Sequence, residues 1–247
     1  MPDLQDQLAI VTGASSGLGE ATALRLAQLG ARVALLARSE ADLDRVAGRI
    51  GAAGGTASTH PTDLADPAAV VATAERIVSG GRPPQVLINV AATDAPGPAE
   101  DIPLEDWERV VRVNLTAPFL LSRSVLPGMR AAGGGTIVNI SSVAGRRGWA
   151  NAAAYCATKF GLTGLTQALA AEGAPHGVRV VCLYPGAMAT HWGTWSSADR
   201  DQPRQTAPED ALPPQDVADY IAWLVCAPAH LIVTEAVVAP IRERGWP

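Results

Sequence analysis

Lysine is almost absent from the chain: of 19 basic residues among 247, only Lys159 is not arginine. The arginines are scattered and the formal charge is -5, so no basic stripe can follow a phosphate backbone and a nucleic acid partner is not expected. Cysteine is scarce as well. Cys156, Cys182 and Cys226 are odd in number and widely spaced, which excludes a disulfide framework and fits core or near-core thiols in a reducing compartment. No uninterrupted apolar run approaches about 18 residues. The opening "MPDLQDQLAIVTG" is acidic where a secretory signal would be basic. A soluble, cytoplasmic protein with no membrane partner is the expectation. His191 has no companion cluster of His, Cys or carboxylate at ligand spacing, so no metal is expected and it reads as a pocket-lining or surface histidine.

What is present is alternation. Short runs at 8–11, 32–37, 56–60, 85–89, 135–141, 178–184 and 235–240 read as strands, most of them apolar on both faces. Helical patterns occupy 19–30, 40–54, 66–80, 104–133 and 152–173, and several close on glycine. Asp66 and Pro67 look like an N-cap and a first-turn residue. The expected fold class is therefore α/β: a single-domain, Rossmann-type, doubly wound sheet of seven parallel strands with helices on both faces, spanning 1–247. The stretch 191–216 is polar, proline-bearing and longer than an ordinary connection. Its two tryptophans favour a substrate lid at about 187–213.

"AIVTGASSGLGEATA" sets glycines directly after the first strand and at the start of the first helix. Phosphate oxygens approach backbone N–H groups closely at such a turn, which makes Gly13, Ser15, Ser16, Gly17, Leu18 and Gly19 candidates to hold a dinucleotide pyrophosphate. At the end of the second strand, where an acid would read the ribose 2'-hydroxyl, "LLARSEADL" has Ala37 followed by Arg38 and Ser39. Without the acid a 2'-phosphate is not repelled, and a guanidinium supplies paired donors for it, so NADP(H) is favoured over NAD(H). The alternative for Arg38 is a solvated loop arginine. Asp63, with Leu64 beside it, either meets the adenine edge or caps the next helix.

Tyr155 and Lys159 are four apart in a helical pattern and so share a face. A phenol is too weak an acid for easy proton exchange at neutral pH, and a nearby ammonium is expected to lower its pKa. A compact ammonium can also donate to ribose hydroxyls.

The chain resembles the short-chain dehydrogenase/reductase family over nearly its whole length. The resemblance rests on "TGASSGLG" at 12–19, "VNLTAPF" at 113–119, "NISS" at 139–142, "YCATK" at 155–159 and "PGAMAT" at 185–190. It implies that Tyr155 is the catalytic acid and base, Lys159 its partner on the nicotinamide ribose, Ser142 the hydroxyl that orients the substrate oxygen, and Asn114 the support of a proton-relay water. Ser141 is the alternative to Ser142, and a helix-kink role before Pro118 the alternative for Asn114. By the same resemblance Asn89, Ala91, Pro185, Gly186 and Thr190 meet the cofactor. "NVAA" at 89–92 departs from the family's N-N-A-G: a polar tie is lost at Val90 and a methyl is added at Ala92. The tail "VVAPIRERGWP" is loosely similar to clavulanate-dehydrogenase-like or YdfG-like NADP enzymes.

The implied reaction is hydride transfer between NADP(H) and a ketone or secondary alcohol, run as a carbonyl reductase. Trp149, Asn151, Met188, His191, Trp192 and Trp195 are the candidate substrate pocket, suiting a moderately apolar or ring-bearing substrate; the alternative for the lid tryptophans is that they pack the lid shut. The alternatives are an NAD-dependent alcohol dehydrogenase of the same fold, or a non-catalytic NADP-binding sensor or scaffold. Self-association into a homodimer or homotetramer is expected through the helices at 104–131 and 152–173.

Overall fold

The computed structural model describes residues 4–190 and 211–242. Seven strands form one sheet: β1 (Leu8–Thr12), β2 (Arg32–Ala37), β3 (Thr56–Pro61), β4 (Val86–Asn89), β5 (Gly135–Ile140), β6 (Val178–Pro185) and β7 (Glu235–Val238). Their order is β3-β2-β1-β4-β5-β6-β7, and every neighbouring pair is parallel. Successive side chains go to opposite faces. Ala9 and Val11 of β1 and Val33 and Leu35 of β2 enter one core, while Ile10, Ala34 and Leu36 enter the other.

The helices that cover these faces are α1 (Gly17–Gln28), α2 (Glu40–Ala52), α3 (Pro67–Val78), α4 (Leu104–Val111), α5 (Ala117–Ala131), α6 (Ala153–Gly173) and α7 (Pro214–Cys226). Buried apolar residues of α1, α2 and α7 belong to the first core and those of α3 and α5 to the second, which Leu169 of α6 joins, while Cys156 of α6 packs with Ala144 and Ala152 in a small third cluster. Asp66 caps α3 as its position predicts, accepting from Ala68 N at 2.9 Å and Ala69 N at 3.2 Å.

Two elements depart from the sequence reading. Helix α7 lies where no helical pattern was assigned: Pro213, Pro214 and the polar run before them resemble a loop. Proline is tolerated in the first helical turn, and Val217, Ile221 and Leu224 bury one stripe. The single pattern at 104–133 is interrupted by a π-helical turn, Arg112–Thr116, that joins α4 to α5. One extra residue is thereby accommodated around Asn114, and such turns mark sites where a helix is deformed for a purpose.

The chain runs from β1 outward through β2 and β3, then returns to place β4 on the other side of β1. The connections leaving the C-terminal ends of β1 and β4 therefore diverge and open a crevice.

Candidate active site

The glycine turn lies at that crevice. Gly13 has φ +65° and its Cα faces the backbone of Ala91, where an added Cβ would lie 3.1 Å from Ala91 N. Any side chain at Gly19 would run into the Gly13 carbonyl oxygen, so the start of α1 can lie against β1 only with glycine there. Ser16 is extended at the N-cap, and its hydroxyl makes no cap bond. The first-turn N–H groups thus face the crevice uncapped by a side chain, which fits a pyrophosphate. Leu18 is buried in the core.

Thr12, quoted within the glycine motif but given no role by the sequence reading, ties this turn to the next strand. Its Oγ1 accepts from Val90 N at 3.0 Å and Ala91 N at 3.1 Å. Arg45 of α2 grips the turn from outside, donating to Ser15 O at 2.8 Å and pairing with Glu20 at 2.7 Å. Arg49 pairs with the same carboxylate. The hydrogen bond from Arg45, followed by the charges of both arginines, outweighs burial and holds Glu20 below the usual carboxylate range. Arg38 is exposed at the end of β2. Ser39 caps α2, accepting from Asp42 N at 3.3 Å. Asp63 closes its own turn on Ala65 N at 2.9 Å, leaving the helix cap to Asp66, and Leu64 is buried in the second core.

Asn89 does not direct its amide into the crevice. Its Nδ2 donates to Asn139 Oδ1 at 2.8 Å, and Asn139 donates to Thr166 Oγ1 of α6 at 2.9 Å. The sheet is therefore tied to α6 although Val90 replaces the family's second asparagine.

Lys159 is 2 % exposed and donates to Ile140 O at 2.8 Å. Its Nζ is 5.5 Å from the centroid of the Tyr155 ring, so the two side chains share one side of α6 as their spacing predicts. The expected effect on the phenol is reversed. Burial pushes Tyr155 well above the ordinary phenol value and outweighs the hydroxyl of Ser142, which hydrogen-bonds the phenol and favours its ionised form. The Lys159 ammonium over the ring is itself desolvated, its pKa pushed down to about 8.

The two serines separate cleanly. Ser141 is buried and donates to Lys159 O at 3.1 Å, fastening the end of β5 to α6. A side chain at Gly145 would collide with Ser141 Oγ, so the turn after β5 depends on that glycine. Ser142 has extended backbone, accepts from Ala144 N at 3.1 Å and faces Tyr155.

Asn114, fully buried in the π turn, accepts from Thr93 N at 2.8 Å and donates to Thr93 O at 2.8 Å and Thr158 Oγ1 at 3.1 Å. Thr158 in turn donates to Tyr155 O at 2.9 Å. The asparagine thus clamps the loop after β4 to the turn of α6 that carries tyrosine and lysine. Arg109 completes the clamp at Thr93 Oγ1, 2.7 Å.

Pro185 ends β6, and Gly186 N donates to Val238 O at 2.9 Å. Thr190 approaches Gly17, where an added Cβ would lie 3.4 Å from the threonine side chain. Met188 rests against the first core and pairs with Leu212 in a short parallel bridge. The expected lid therefore leaves and rejoins the fold at one place. Its residues 191–210, with His191, Trp192 and Trp195, lie outside the described residues. Trp149 is half exposed, and Asn151 has φ +63° with its carbonyl accepting from Gly97 N at 3.0 Å. Among the described residues no group of three His, Cys, Asp or Glu is placed to hold a metal, and no helix is long and apolar enough to cross a membrane.

A glycine turn at the crevice, beside a serine, a tyrosine and a lysine on a doubly wound parallel sheet, makes this a Rossmann-type fold. The short chain dehydrogenase family model matches residues 7–201, and the chain belongs to that family. It is similar to D-threitol dehydrogenase of Mycolicibacterium smegmatis, 33% identical over 93% of this chain and 89% of the relative. Among solved structures it is similar to a metagenomic short-chain oxidoreductase in complex with NADP, at 38% identity and TM-score 0.83, covering 96% of this chain and 98% of the other. It is likewise similar to a 3-ketoacyl-(acyl-carrier-protein) reductase of Brucella melitensis complexed with NADH, at 34% identity and TM-score 0.83, covering 98% and 100%. As a member of the family the chain is an oxidoreductase of the CH–OH/C=O type using a nicotinamide cofactor.

Proposed function

We propose that the protein is an NADP(H)-dependent carbonyl reductase acting on a ketone or secondary alcohol. The observation that supports this reading is the placement of Ser142, Tyr155 and Lys159 together at the C-terminal end of the sheet, with the Ser142 hydroxyl hydrogen-bonded to the phenol and the ammonium over its ring. A protonated phenol is the acid that ketone reduction requires.

A bound nicotinamide supplies or accepts the hydride. The glycine turn from Gly13 to Gly19, Arg38 and Ser39, Asp63 and Leu64, the backbone of Asn89 and Ala91, and Pro185, Gly186 and Thr190 would hold the dinucleotide. Ser142 and Tyr155 hydrogen-bond the substrate oxygen, stabilising negative charge as it develops there. Tyr155 passes its proton to that oxygen. Lys159 binds ribose hydroxyls and favours the phenolate once it forms, and Asn114 keeps the loop after β4 registered on α6.

Ala37 and the exposed Arg38 favour a 2'-phosphate. Changing Ala37→Asp with Arg38→Leu is expected to move the kcat/KM ratio toward NADH by about a hundredfold, the sum of one lost charge pair and one new repulsion. The reading as a whole is tested by a cofactor-coupled screen of ketones, aldehydes and alcohols with both nicotinamide pairs. Turnover of ketones with NADPH supports it; NADPH binding with no turnover across the panel points to a non-catalytic sensor.

Three free thiols suit a reducing cytoplasmic setting. A second copy of the chain covers α5 and α6, whose Phe119 and Phe160 are 41% and 47% exposed.

A further inference from the structure

Arg45 holds the outer side of the glycine turn, and the proposed reaction gives it no role. Its fork meets Glu20 of α1 with both Nη atoms, Nη1 to Oε1 at 2.7 Å and Nη2 to Oε2 at 3.0 Å, and Nη2 also donates to Ser15 O at 2.8 Å. Glu20 is the better buried partner, its side chain 14% exposed against 46% for Arg45. Arg49, one turn further along α2, pairs with the same carboxylate. Two guanidinium groups therefore cover one carboxylate in the first turn of α1, where a bare anion would repel a phosphate bound at that helix end.

The bond to Ser15 O acts on the other side of the same peptide. Among the described residues no peptide bond is cis, and in a trans peptide the carbonyl and the following N–H point in opposite directions. Holding Ser15 O against α2 therefore turns the Ser16 N–H away from α2. That N–H finds no acceptor among the described residues, and Ser16 is exposed at the N-cap of α1 with no side-chain cap bond. The turn is also held one residue earlier, by Ala14 N on Leu36 O at 3.2 Å, which leaves the orientation of the Ser15–Ser16 peptide to Arg45.

Resting on the dinucleotide reading above, we infer that Arg45 is a positioning residue for the cofactor: it aims the Ser16 N–H at the pyrophosphate and screens Glu20 from it. The pyrophosphate is common to NADPH and NADH, so Arg45 serves both, whereas Arg38 serves the 2'-phosphate alone.

Dissociation constants for NADPH and NADH, read by nucleotide fluorescence, separate these roles. Arg45→Met is expected to weaken both nucleotides by about tenfold and in equal proportion, the usual effect of one hydrogen bond involving a charged group. With a ketone that the wild type reduces, KM for NADPH is expected to rise by the same factor while kcat at saturating NADPH falls by less than about twofold. Arg38→Leu is expected to weaken NADPH alone. Arg45→Lys keeps the charge but lacks the fork that spans Ser15 O and Glu20, and is expected to weaken both nucleotides by about threefold. A thermal melt without nucleotide checks that Arg45→Met is folded; should it not fold, Arg45→Lys decides by the same equal loss. Unchanged constants, a loss for NADPH alone, or a fall in kcat with unchanged binding overturns the assignment to Arg45. If the unmodified protein binds neither nucleotide, the dinucleotide reading itself is overturned, and this inference with it.

Discussion

Lys159 is held at a cost. Desolvation lowers its pKa from 10.5 to about 8, and burial of an ammonium is tolerated here only because Ile140 O and the Tyr155 ring face it. Between those two pH values the folded protein binds fewer protons than the unfolded chain, so this group makes stability rise with pH. Its penalty is fully present below about 8 and disappears above 10.5, amounting to roughly 3 kcal/mol. Denaturant melts of wild type and Lys159→Met from pH 7 to 10 are expected to show the difference between them shrinking by about 2 kcal/mol, most of that amount, with the variant the more stable at pH 7. A constant difference would show the ammonium to be well solvated. The neighbouring serines make a second contrast. Ser141→Ala is expected to lose about 1 kcal/mol of stability, the value of one buried hydrogen bond, and to retain turnover. Ser142→Ala is expected to lower kcat by about a hundredfold with little change in melting temperature, as for removal of one oxyanion donor.

At the scale of elements, the π turn between α4 and α5 makes the crevice one rigid object. Asn114 satisfies both backbone groups of Thr93 and reaches Thr158. Asn114→Ala leaves these buried groups unpaired and is expected to cost about 2–4 kcal/mol, read by chemical denaturation, with kcat falling more than KM rises. Most strands were legible because runs such as "RVALLA" and "VRVVCLY" are apolar on both faces and bounded by glycine or polar turns, while the polar third strand was marked by its place between two helical patterns. Tyr155 and Lys159 were legible as a pair because helical spacing alone brings them together. Helix α7 was hidden by the prolines and polar residues at its start, and the π turn by a hydrophobic period that continues through it. Arg109 and Arg45 gave no signal because loops and helix crossings bring them to the site from distant positions. The direction of the phenol shift was misread for a related reason: spacing shows that an ammonium is near, while burial, which decides the pKa, is a property of the assembled fold.

For the whole molecule, the doubly wound sheet explains why residues from separate segments converge. Strand ends carry the glycine turn, the Ser142 turn and the β6 exit to one edge, and α6 brings the acid and the amine to the same place. The exposed Phe119 and Phe160 lie on the helices of the face between two copies proposed above. Light scattering is expected to give a mass of two or four times 25.5 kDa, and Phe119→Glu with Phe160→Glu to lower it; a monomer in the unmodified protein would contradict this. The central claim is that the partly buried phenol of Tyr155 is the proton donor in a reduction driven by bound NADPH. Comparing Tyr155→Phe with wild type tests it most directly, by NADPH fluorescence for binding and by NADPH oxidation for turnover of a ketone. The variant is expected to bind the nucleotide within about threefold of wild type and to lose turnover by a factor of about a thousand. Undiminished turnover would contradict the account.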